Sequence, residues 1–447
     1  MDRKTIVAKF GGTSLADAGQ FRKIAAIVAE NPQRRFLVVS APGKRYPEDV
    51  KVTDRLLRCY ELAAAGEDYE GELGEIEKRF REIQEELFIS FPLEEEIGRI
   101  REHLQEHPDR EYMASRGEYL NARLLSLFLG FTFVDPAWCI CFHEDGLLDA
   151  PMTSRTLAAA LRPLTHAVIA GFYGADGEGR IRTFTRGGSD ITGSLAACAV
   201  HAELYENWTD VSGLFDADPR FVSSPKTVKY LTYRELRTLS YMGASVLHSD
   251  AVLAASQMDI PINIRNTNRP KDAGTMIVRK LPVGVEKHPV IGVAGRCGMS
   301  VIQVEKVMVS DGSGFSAIML DILKDRAIPF EHCLTGIDSI TIVIRTDRLE
   351  PCREDLCEEI RTKLSPDFLE VKDNLSMIAV TGEKDTQGSD ANVRILDILS
   401  EQGIEISTIN QGAGKLNLLI GVPEERYKDA IVAIHSYIGN LRGTETK

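Results

Sequence analysis

A tandem repeat in the last third of the chain is the feature that most limits what the sequence can fold into. When the sequence is shifted by 76 residues, 299–306 lies over 375–382 and 327–344 lies over 403–420 without a gap. Each copy shows a strand, a Gly/Ser loop, an amphipathic helix, two strands joined by a turn, and a final helix. Such a βαββα unit leaves strand edges unpaired, so two copies are expected to complete each other.

The repeat divides the chain into a large N-terminal domain and two small ones. With 447 residues, two or three domains are expected. We assign residues 1–280 to the large domain, 281–290 to a linker, 291–373 to the first copy and 374–447 to the second. Interleaving of the two copies is left open.

The N-terminal domain reads as alternating strands and helices. Apolar, β-branched runs recur along it, and a helical period of apolar residues follows the first one. This alternation predicts an α/β domain with a mainly parallel sheet. Residues 66–110 differ, because they are rich in Glu and Arg and keep a helical period, and we interpret them as a solvent-facing helical insertion broken at Pro92. The strand runs are Thr5–Phe10, Phe36–Ser40, Ala167–Gly171, Ala202–Thr209 and Ile260–Ile264.

Charge and composition exclude several classes of function. The formal net charge is −13, which argues against a general nucleic-acid-binding protein because such proteins need a basic face. No apolar run approaches the ~20 residues that span a bilayer, and the N-terminus does not resemble a signal peptide. The eight cysteines show no zinc-like spacing, so we expect free thiols and a cytoplasmic protein.

Two glycine-rich turns carry the strongest chemical signal. Lys9-Phe10-Gly11-Gly12 follows the first strand and leads into a helix, and Gly N–H groups beside a lysine suit a phosphate. The same pattern also fits a plain strand–helix turn. The second turn, 185–190, holds Arg186 and precedes a helix predicted over Ile191–Ala202, for which Ser189 or Asp190 would be a good N-cap. Asp190 could orient Lys9 through an ion pair, and Arg186 could bind a carboxylate bidentately.

Two further segments are candidates for substrate contacts. Residues 209–220 (TDVSGLFDADPR) follow a strand, and carboxylates with an arginine there suit a nucleotide with Mg²⁺. Purely structural turns would give a similar pattern. Glu118 precedes a helix predicted over Tyr119–Leu129, where it is either an ordinary first-turn carboxylate or a ligand for a substrate ammonium.

The combined motifs resemble the aspartokinases of the amino acid kinase family over nearly the whole chain. The resemblance implies a three-layer α/β sandwich with a mainly parallel central sheet, followed by two ACT-like βαββα (ferredoxin-like) domains. It also implies phosphoryl transfer from ATP, with Mg²⁺, to the β-carboxylate of L-aspartate. The motifs are KFGGTS at Lys9–Ser14, SRGE at Ser115–Glu118, RGGSD at Arg186–Asp190, TDVSGLFDADPR at Thr209–Arg220 and GASVLH at Gly243–His248.

The family roles carry over residue by residue. By resemblance, Lys9 stabilises the transferring phosphoryl group and Asp190 organises Lys9, while no residue is expected to bind a resident metal. Aspartate would be bound by Thr53, Glu118, Arg186 and Ser189, with Glu118 on its α-ammonium. The nucleotide would be bound by Lys9, Phe10, Gly11, Gly12, Thr209, Asp210, Phe215 and Arg220.

The sequence departs from the family pattern at three places. Residues 44–50 lengthen the loop before Thr53, and Phe215 stands where many members have Tyr. Ser245 stands where many members have Lys, which leaves open whether another cation, such as Arg265, replaces it near ATP.

In this family the ACT pair binds an amino-acid effector, commonly lysine or threonine, and pairs across subunits. A homodimer or higher homo-oligomer is therefore expected, without nucleic-acid or membrane partners. The residues leave open which amino acid would inhibit. Effector contacts map onto Ser313, Gly314, Phe315, Ser316, Phe330, Glu331 and Thr335 in the first copy, where cap, core or surface roles are the alternative.

Three other functions were weighed against the aspartokinase assignment. A kinase for glutamate or N-acetylglutamate would not need the doubled ACT-like part. A bifunctional aspartokinase–homoserine dehydrogenase would need a further Rossmann domain with GxGxxG. An inactive amino-acid sensor would not need Lys9, Glu118, Arg186 and Asp190 together.

Overall fold

A computed structural model describes residues 4–185, 187–243, 247, 249–285, 290–307, 313–382, 391–411 and 416–444. These residues form two compact units. The N-terminal unit comprises the described residues within 1–214, 227–240 and 245–283, and the C-terminal unit those within 215–226, 241–244 and 284–447. None of the helices in the described ranges is long and apolar enough to cross a membrane.

The N-terminal unit is built on a mixed sheet with helices around it. Its strands are β1 (Ile6–Phe10), β2 (Arg34–Val39), β3 (Thr132–Val134), β4 (Cys141–Phe142), β5 (Ala167–Ala170), β6 (Tyr173–Asp176), β7 (Ile181–Thr183), β8 (Leu204–Thr209), β9 (Tyr230–Thr232), β10 (Ile262–Asn266) and β11 (Thr275–Val278). Its helices are α1 (Ala18–Glu30), α2 (Val52–Ala65), α3 (Glu70–Glu86), α4 (Leu93–Glu106), α5 (Arg110–Leu129), α6 (Ala150–Leu161), α7 (Gly188–Ala199), α8 (Tyr233–Tyr241) and α9 (Ser249–Gln257).

The central sheet has the strand order β3-β5-β2-β1-β8-β10-β11-β9. All neighbouring pairs are parallel except β10 with β11, which confirms the mainly parallel sheet. Every residue of β1 is buried, as expected for a strand that is covered on both faces. The carboxyl ends of β1, β2, β5 and β8 therefore meet at one edge, where a ligand site is expected.

The insertion consists of the two helices α3 and α4, separated before Leu93 by the predicted break at Pro92. Leu73, Ile76 and Phe80 from α3 and Ile97 from α4 are buried in the same hydrophobic core as β1 and α5. The charged residues of α3 and α4 lie mostly outside that core. The insertion is therefore part of the N-terminal unit's core, with one solvated face.

The C-terminal unit shows both copies of the repeat. The first contains β12 (Gly292–Glu305), α10 (Ser313–Asp325), β13 (His332–Thr335), β14 (Ser339–Arg345), α11 (Thr346–Leu349) and α12 (Arg353–Leu364), and the second β15 (Phe368–Gly382), α13 (Ala391–Glu401), β16 (Thr408–Gln411), β17 (Leu416–Pro423) and α14 (Tyr427–Thr444). β13 and β16 are offset by the 76 residues that the sequence predicts.

The two copies share one antiparallel sheet with the order β13-β14-β12-β15-β17-β16. The long strands β12 and β15 pair with each other, so each copy covers one sheet edge of the other. The copies therefore lie side by side and do not interleave within the described residues. This confirms the expectation that two copies complete each other.

The units do not follow the predicted boundaries throughout. The change of unit at 283–284 falls inside the predicted linker 281–290, of which 286–289 lie outside the described ranges. Segment 215–226 was assigned to the large domain, yet it packs in the C-terminal unit. The physical reason is that Ala217 and Val222 are buried in the hydrophobic core of the second copy.

We predict that Ile434→Ala destabilises the C-terminal unit by about 2–5 kcal/mol, because it leaves a cavity under α14. Ile434 is fully buried, whereas Val432 on the same helix is 39% exposed. Val432→Ala is the matched control and should cost less than half as much. Equal losses for the two variants in chemical unfolding would contradict the described packing.

Candidate active site

Lys9 lies near the carboxyl end of the central strand β1 and forms an ion pair. Its Nζ is 2.5 Å from Asp190 Oδ1, and the two side chains are only 10% and 13% exposed. A buried charge is costly unless it is paired, so each of these groups stabilises the ionised form of the other. The ion pair that the sequence suggested is present.

Asp190 is held by its own neighbours on β8. Asn207 Nδ2 donates to Asp190 Oδ1 over 2.9 Å, and the Tyr205 hydroxyl donates to the Asp190 carbonyl over 3.1 Å. Sequence reasoning missed Asn207. It stands two residues before Thr209, and the alternation of side chains along a strand places both on one face of the sheet, which was the available signal.

The predicted N-cap of the following helix was wrong. Helix α7 begins at Gly188, and its N-cap is Gly187 with φ 61, not Ser189 or Asp190. Glycine adopts this left-handed backbone at little cost, so no side-chain cap is needed. Ser189 and Asp190 consequently lie in the first helical turn, which leaves the Asp190 carboxylate available to Lys9.

The first glycine turn is tied to both neighbouring strands. Gly11 N donates to the Trp208 carbonyl over 2.9 Å, and Gly43 N donates to the Gly12 carbonyl over 2.8 Å. A Cβ on Gly12 would lie 2.9 Å from the Ala41 carbonyl oxygen, so a larger residue would not fit there. The turn leads into a single 3-10 turn, Gly12–Leu15, and helix α1 starts only at Ala18, later than predicted.

Glu118 lies inside the long helix α5, not in its first turn as predicted. The helix starts at Arg110, where Asp109 caps it by accepting a hydrogen bond from Tyr112 N. A Cβ on Gly117 would lie 2.6 Å from Ala41 Cβ, so the glycine lets α5 approach the loop after β2. This approach brings Glu118 against the backbone of Ala41.

The Glu118 carboxyl group is fully buried and only partly satisfied. Burial raises its pKa to about 8, although a hydrogen bond from the Ala41 backbone opposes the shift. Its Oε2 atom has no hydrogen-bond partner among the described residues. A buried carboxyl group with a free acceptor in a candidate site is typical of a group that meets a ligand.

The other predicted aspartate contacts lie on elements around the same sheet edge. Ser189 is buried against Gly171, where a Cβ would lie 2.6 Å from the serine side chain. Thr53 is half-buried in the first turn of α2. Arg186 lies outside the described residues.

Thr209 and Asp210 end strand β8 and are held by the loop that follows β10. Thr267 N donates to the Thr209 carbonyl over 2.9 Å, and Asn266 Nδ2 donates to the Asp210 carbonyl over 3.1 Å. The Ser14 and Thr267 hydroxyls are 2.8 Å apart. These contacts tie the first glycine turn and the end of β8 to a common loop, and the Asp210 side chain stays exposed.

Phe215 and Arg220 lie in segment 215–226 of the C-terminal unit. The guanidinium of Arg220 is largely exposed and binds Asp218, with Nε 2.9 Å from Oδ2. Hydrogen bonds from Arg220 lower the pKa of that carboxyl group. The nucleotide contacts suggested for Phe215 and Arg220 stay predictions.

Arg265 does not stand free to replace a missing cation. Its guanidinium donates to Glu206 over 3.3 Å and to the Pro270 carbonyl over 2.6 Å, and it lies 4.5 Å from the Trp208 ring centroid. These contacts give Arg265 a structural role between β8 and β10. Ser245 and His248 lie outside the described residues.

The predicted effector residues all belong to the first copy of the repeat. Phe315 is buried in the hydrophobic core of that copy, while Phe330 and Thr335 are exposed. Glu331 hydrogen bonds with the Tyr241 hydroxyl, whose pKa burial raises to about 12. Gly314 and Ser316 lie in the first turn of α10, which begins at Ser313; the Ser313 side chain is outside the described set.

Comparison with known proteins agrees with this architecture. The model of the amino acid kinase family matches residues 4–266, and a model of the ACT domain matches residues 378–437. Aspartokinase 3 of Bacillus subtilis is 34% identical, with 96% of this chain and 97% of that protein covered. Lysine-sensitive aspartokinase 3 of Escherichia coli is 27% identical over 96% of this chain and 98% of that protein.

Solved structures show the same likeness. The crystal structure of Clostridium acetobutylicum aspartate kinase has a TM-score of 0.86 and 36% identity, and covers 97% of this chain and 99% of that one. E. coli aspartokinase III in complex with aspartate and ADP has a TM-score of 0.79 and 25% identity over the same shares. The chain therefore belongs to the amino acid kinase family, within it to the aspartokinases, and is an aspartate kinase.

Proposed function

We propose that the protein transfers the γ-phosphoryl group of ATP to the β-carboxylate of L-aspartate, giving 4-phospho-L-aspartate and ADP. This would be the first step towards lysine, threonine and methionine. The buried pair of Lys9 and Asp190 beside the glycine turn is the observation that carries the proposal. Bound aspartate and ADP in the related E. coli aspartokinase III support it.

Lys9 is the group best placed to meet the transferring phosphoryl group. Phosphoryl transfer depends mainly on positioning and on stabilising negative charge, and a fixed cation in a site of low dielectric serves both purposes. Asp190 and Asn207 hold the Lys9 ammonium group at the end of β1. Asp190 therefore acts as a positioning residue for Lys9.

Aspartate carries two carboxylates and one ammonium group, and the site offers groups of matching charge. We assign Glu118 to the α-ammonium, because its buried Oε2 lacks a partner. Ser189 and Thr53 supply hydroxyl donors for the carboxylates, and Arg186 is assigned to one of these by resemblance. Binding the ammonium would favour the ionised form of Glu118.

The nucleotide is assigned to the other side of Lys9. The turn after Phe10, formed by Gly11 and Gly12, and the end of β8 at Thr209 and Asp210 provide backbone groups and one exposed carboxylate. The described residues contain no group of three or more metal-binding side chains. Mg²⁺ would accordingly arrive with ATP and be held mostly by phosphates and water, with Asp210 as the nearest protein candidate.

The C-terminal unit is assigned to feedback control. E. coli aspartokinase III has been crystallised with lysine and aspartate in its T-state, and it has a TM-score of 0.73 to this chain. Control by an amino acid would be a population shift, which requires that the effector binds one arrangement better than the other. We further propose a cytoplasmic homo-oligomer, because β13 and β16 are sheet edges without a partner strand among the described residues.

We predict that Lys9→Met lowers kcat/KM about 10²–10³-fold, because it removes one charge-stabilising group from the site. Trapping the acyl phosphate with hydroxylamine measures turnover. Lys4→Met is the matched control, since Lys4 lies just before the same strand in an exposed ion pair with Glu203. This variant should keep turnover within about twofold.

Two results of this assay would contradict the proposed function. If the wild-type protein forms no hydroxamate with aspartate, or turns over glutamate equally well, the substrate assignment fails. Undiminished turnover by Lys9→Met would refute the role of Lys9.

We predict that aspartate binding releases a proton from Glu118 near pH 7. With a pKa of about 8, the free carboxyl group is mostly protonated at pH 7 and must ionise to bind an ammonium group. The affinity for aspartate should therefore rise as the pH increases towards 8 and then level off. Titration calorimetry in buffers of different ionisation enthalpy measures the released proton.

Glu118→Gln should abolish the proton release and weaken aspartate binding. Glu235→Gln is the control, because Glu235 is equally buried but binds the backbone of Thr232. Proton release that persists in Glu118→Gln would show that another group titrates.

We predict that at least one of lysine, threonine and methionine, each added alone to the assay, inhibits turnover. Glu331→Gln should raise the concentration needed for half-inhibition, because it removes the carboxylate assigned to the effector ammonium. Glu354→Gln, an exposed carboxylate on α12, is the control. Unchanged inhibition in Glu331→Gln would place the effector elsewhere.

A further inference from the structure

The lengthened loop between β2 and α2 is organised around one buried carboxylate. Asp49 is 6% exposed, and its Oδ2 accepts hydrogen bonds from Arg45 N over 3.0 Å and from Arg45 Nε over 2.9 Å. Its Oδ1 accepts one from Val50 N over 3.0 Å. Burial acts to raise the pKa of Asp49, but the hydrogen bonds from Arg45 and Val50 outweigh it and lower the pKa. The carboxylate is therefore ionised at neutral pH.

The helical insertion reaches into this loop through a single buried arginine. Arg79 on α3 is 5% exposed, and its Nη1 donates to Asp49 Oδ2 over 2.9 Å. Its Nη2 donates to the Gly43 carbonyl over 2.6 Å. One guanidinium thus binds both ends of the 43–49 loop, in the forked geometry that lysine cannot reproduce.

The same loop touches the two elements that hold the substrates. Gly43 N donates to the Gly12 carbonyl over 2.8 Å, and a Cβ on Gly43 would lie 2.6 Å from the Gly12 carbonyl carbon. Next to Gly43, the Pro42 carbonyl accepts a hydrogen bond from Val52 N over 3.3 Å. Val52 begins α2, and Thr53 follows it.

We propose that Arg79 is a positioning residue for phosphoryl transfer. By binding Asp49 and the Gly43 carbonyl, it fixes the loop that sets the glycine turn beside Lys9 and the start of α2 at Thr53. The helical insertion is thereby a mechanical support of the active site and not only a solvated surface. This inference rests on the proposed function, since it concerns the same site.

The expected effect is kinetic, because small displacements of positioned groups cost up to ~10²-fold in rate. Arg79→Met should lower kcat at least about tenfold and raise the KM for aspartate. Arg79→Lys keeps the charge beside Asp49 but loses the fork, so it should restore only part of the activity. Gly43→Ala should give the same kinetic pattern by displacing the glycine turn directly, with the Arg79–Asp49 pair intact.

The matched control is Arg101→Gln. Arg101 is on α4 of the same insertion and binds Glu70 on α3 through Nε over 2.7 Å, which joins the two helices. This variant should keep kcat and KM within about twofold. The experiment measures hydroxamate formation and ADP binding by calorimetry, with circular dichroism melting to count the folded fraction.

Wild-type kcat and KM in Arg79→Met would overturn the inference. So would a loss of activity that matches the loss of folded protein while Gly43→Ala behaves as wild type. If Arg79→Met does not fold, the kinetics of Arg79→Lys and Gly43→Ala decide. If the wild-type chain itself forms no hydroxamate with aspartate, the proposed function fails, which is a different result.

Discussion

The buried ion pair between Lys9 and Asp190 is the contact on which the rest of the site depends. It joins the end of the central strand β1 to the first turn of α7, so it links the two glycine-rich turns. Neither charge would be stable alone at that depth, because desolvation of a single buried ion is expensive. The pairing of β1 with β8 places Lys9 opposite Asn207, which holds Asp190 from the other side.

Close backbone approaches determine the spacing around this pair. Gly12, Gly43, Gly117 and Gly171 each stand where a Cβ would lie under 3.0 Å from a neighbouring atom. Such distances exclude other residue types unless the neighbour moves. The glycines therefore do more than supply turns, since they let the loop after β2, helix α5 and the start of α7 converge on one sheet edge.

The C-terminal unit shows how a repeat becomes one structure. Each copy has a three-stranded sheet with open edges, and pairing of β12 with β15 removes one edge from each. The sequence predicted this, because a fixed period of 76 residues implies two equal units with unpaired strands. It did not predict that segment 215–226 contributes Ala217 and Val222 to the core of the second copy. That packing joins residues far apart in the chain, which no local pattern reports.

Local patterns by themselves determined the mainly parallel sheet, the helical insertion, the repeat and the candidate roles of Lys9 and Asp190. These follow from side-chain period and turn composition, which act between residues close in sequence. Only the tertiary structure showed that Glu118 is buried within a long helix, that Asn207 holds Asp190, and that Arg79 reaches the loop at Asp49. Burial, pKa and buried hydrogen bonds arise from contacts between distant segments, so the chain has to fold before they exist.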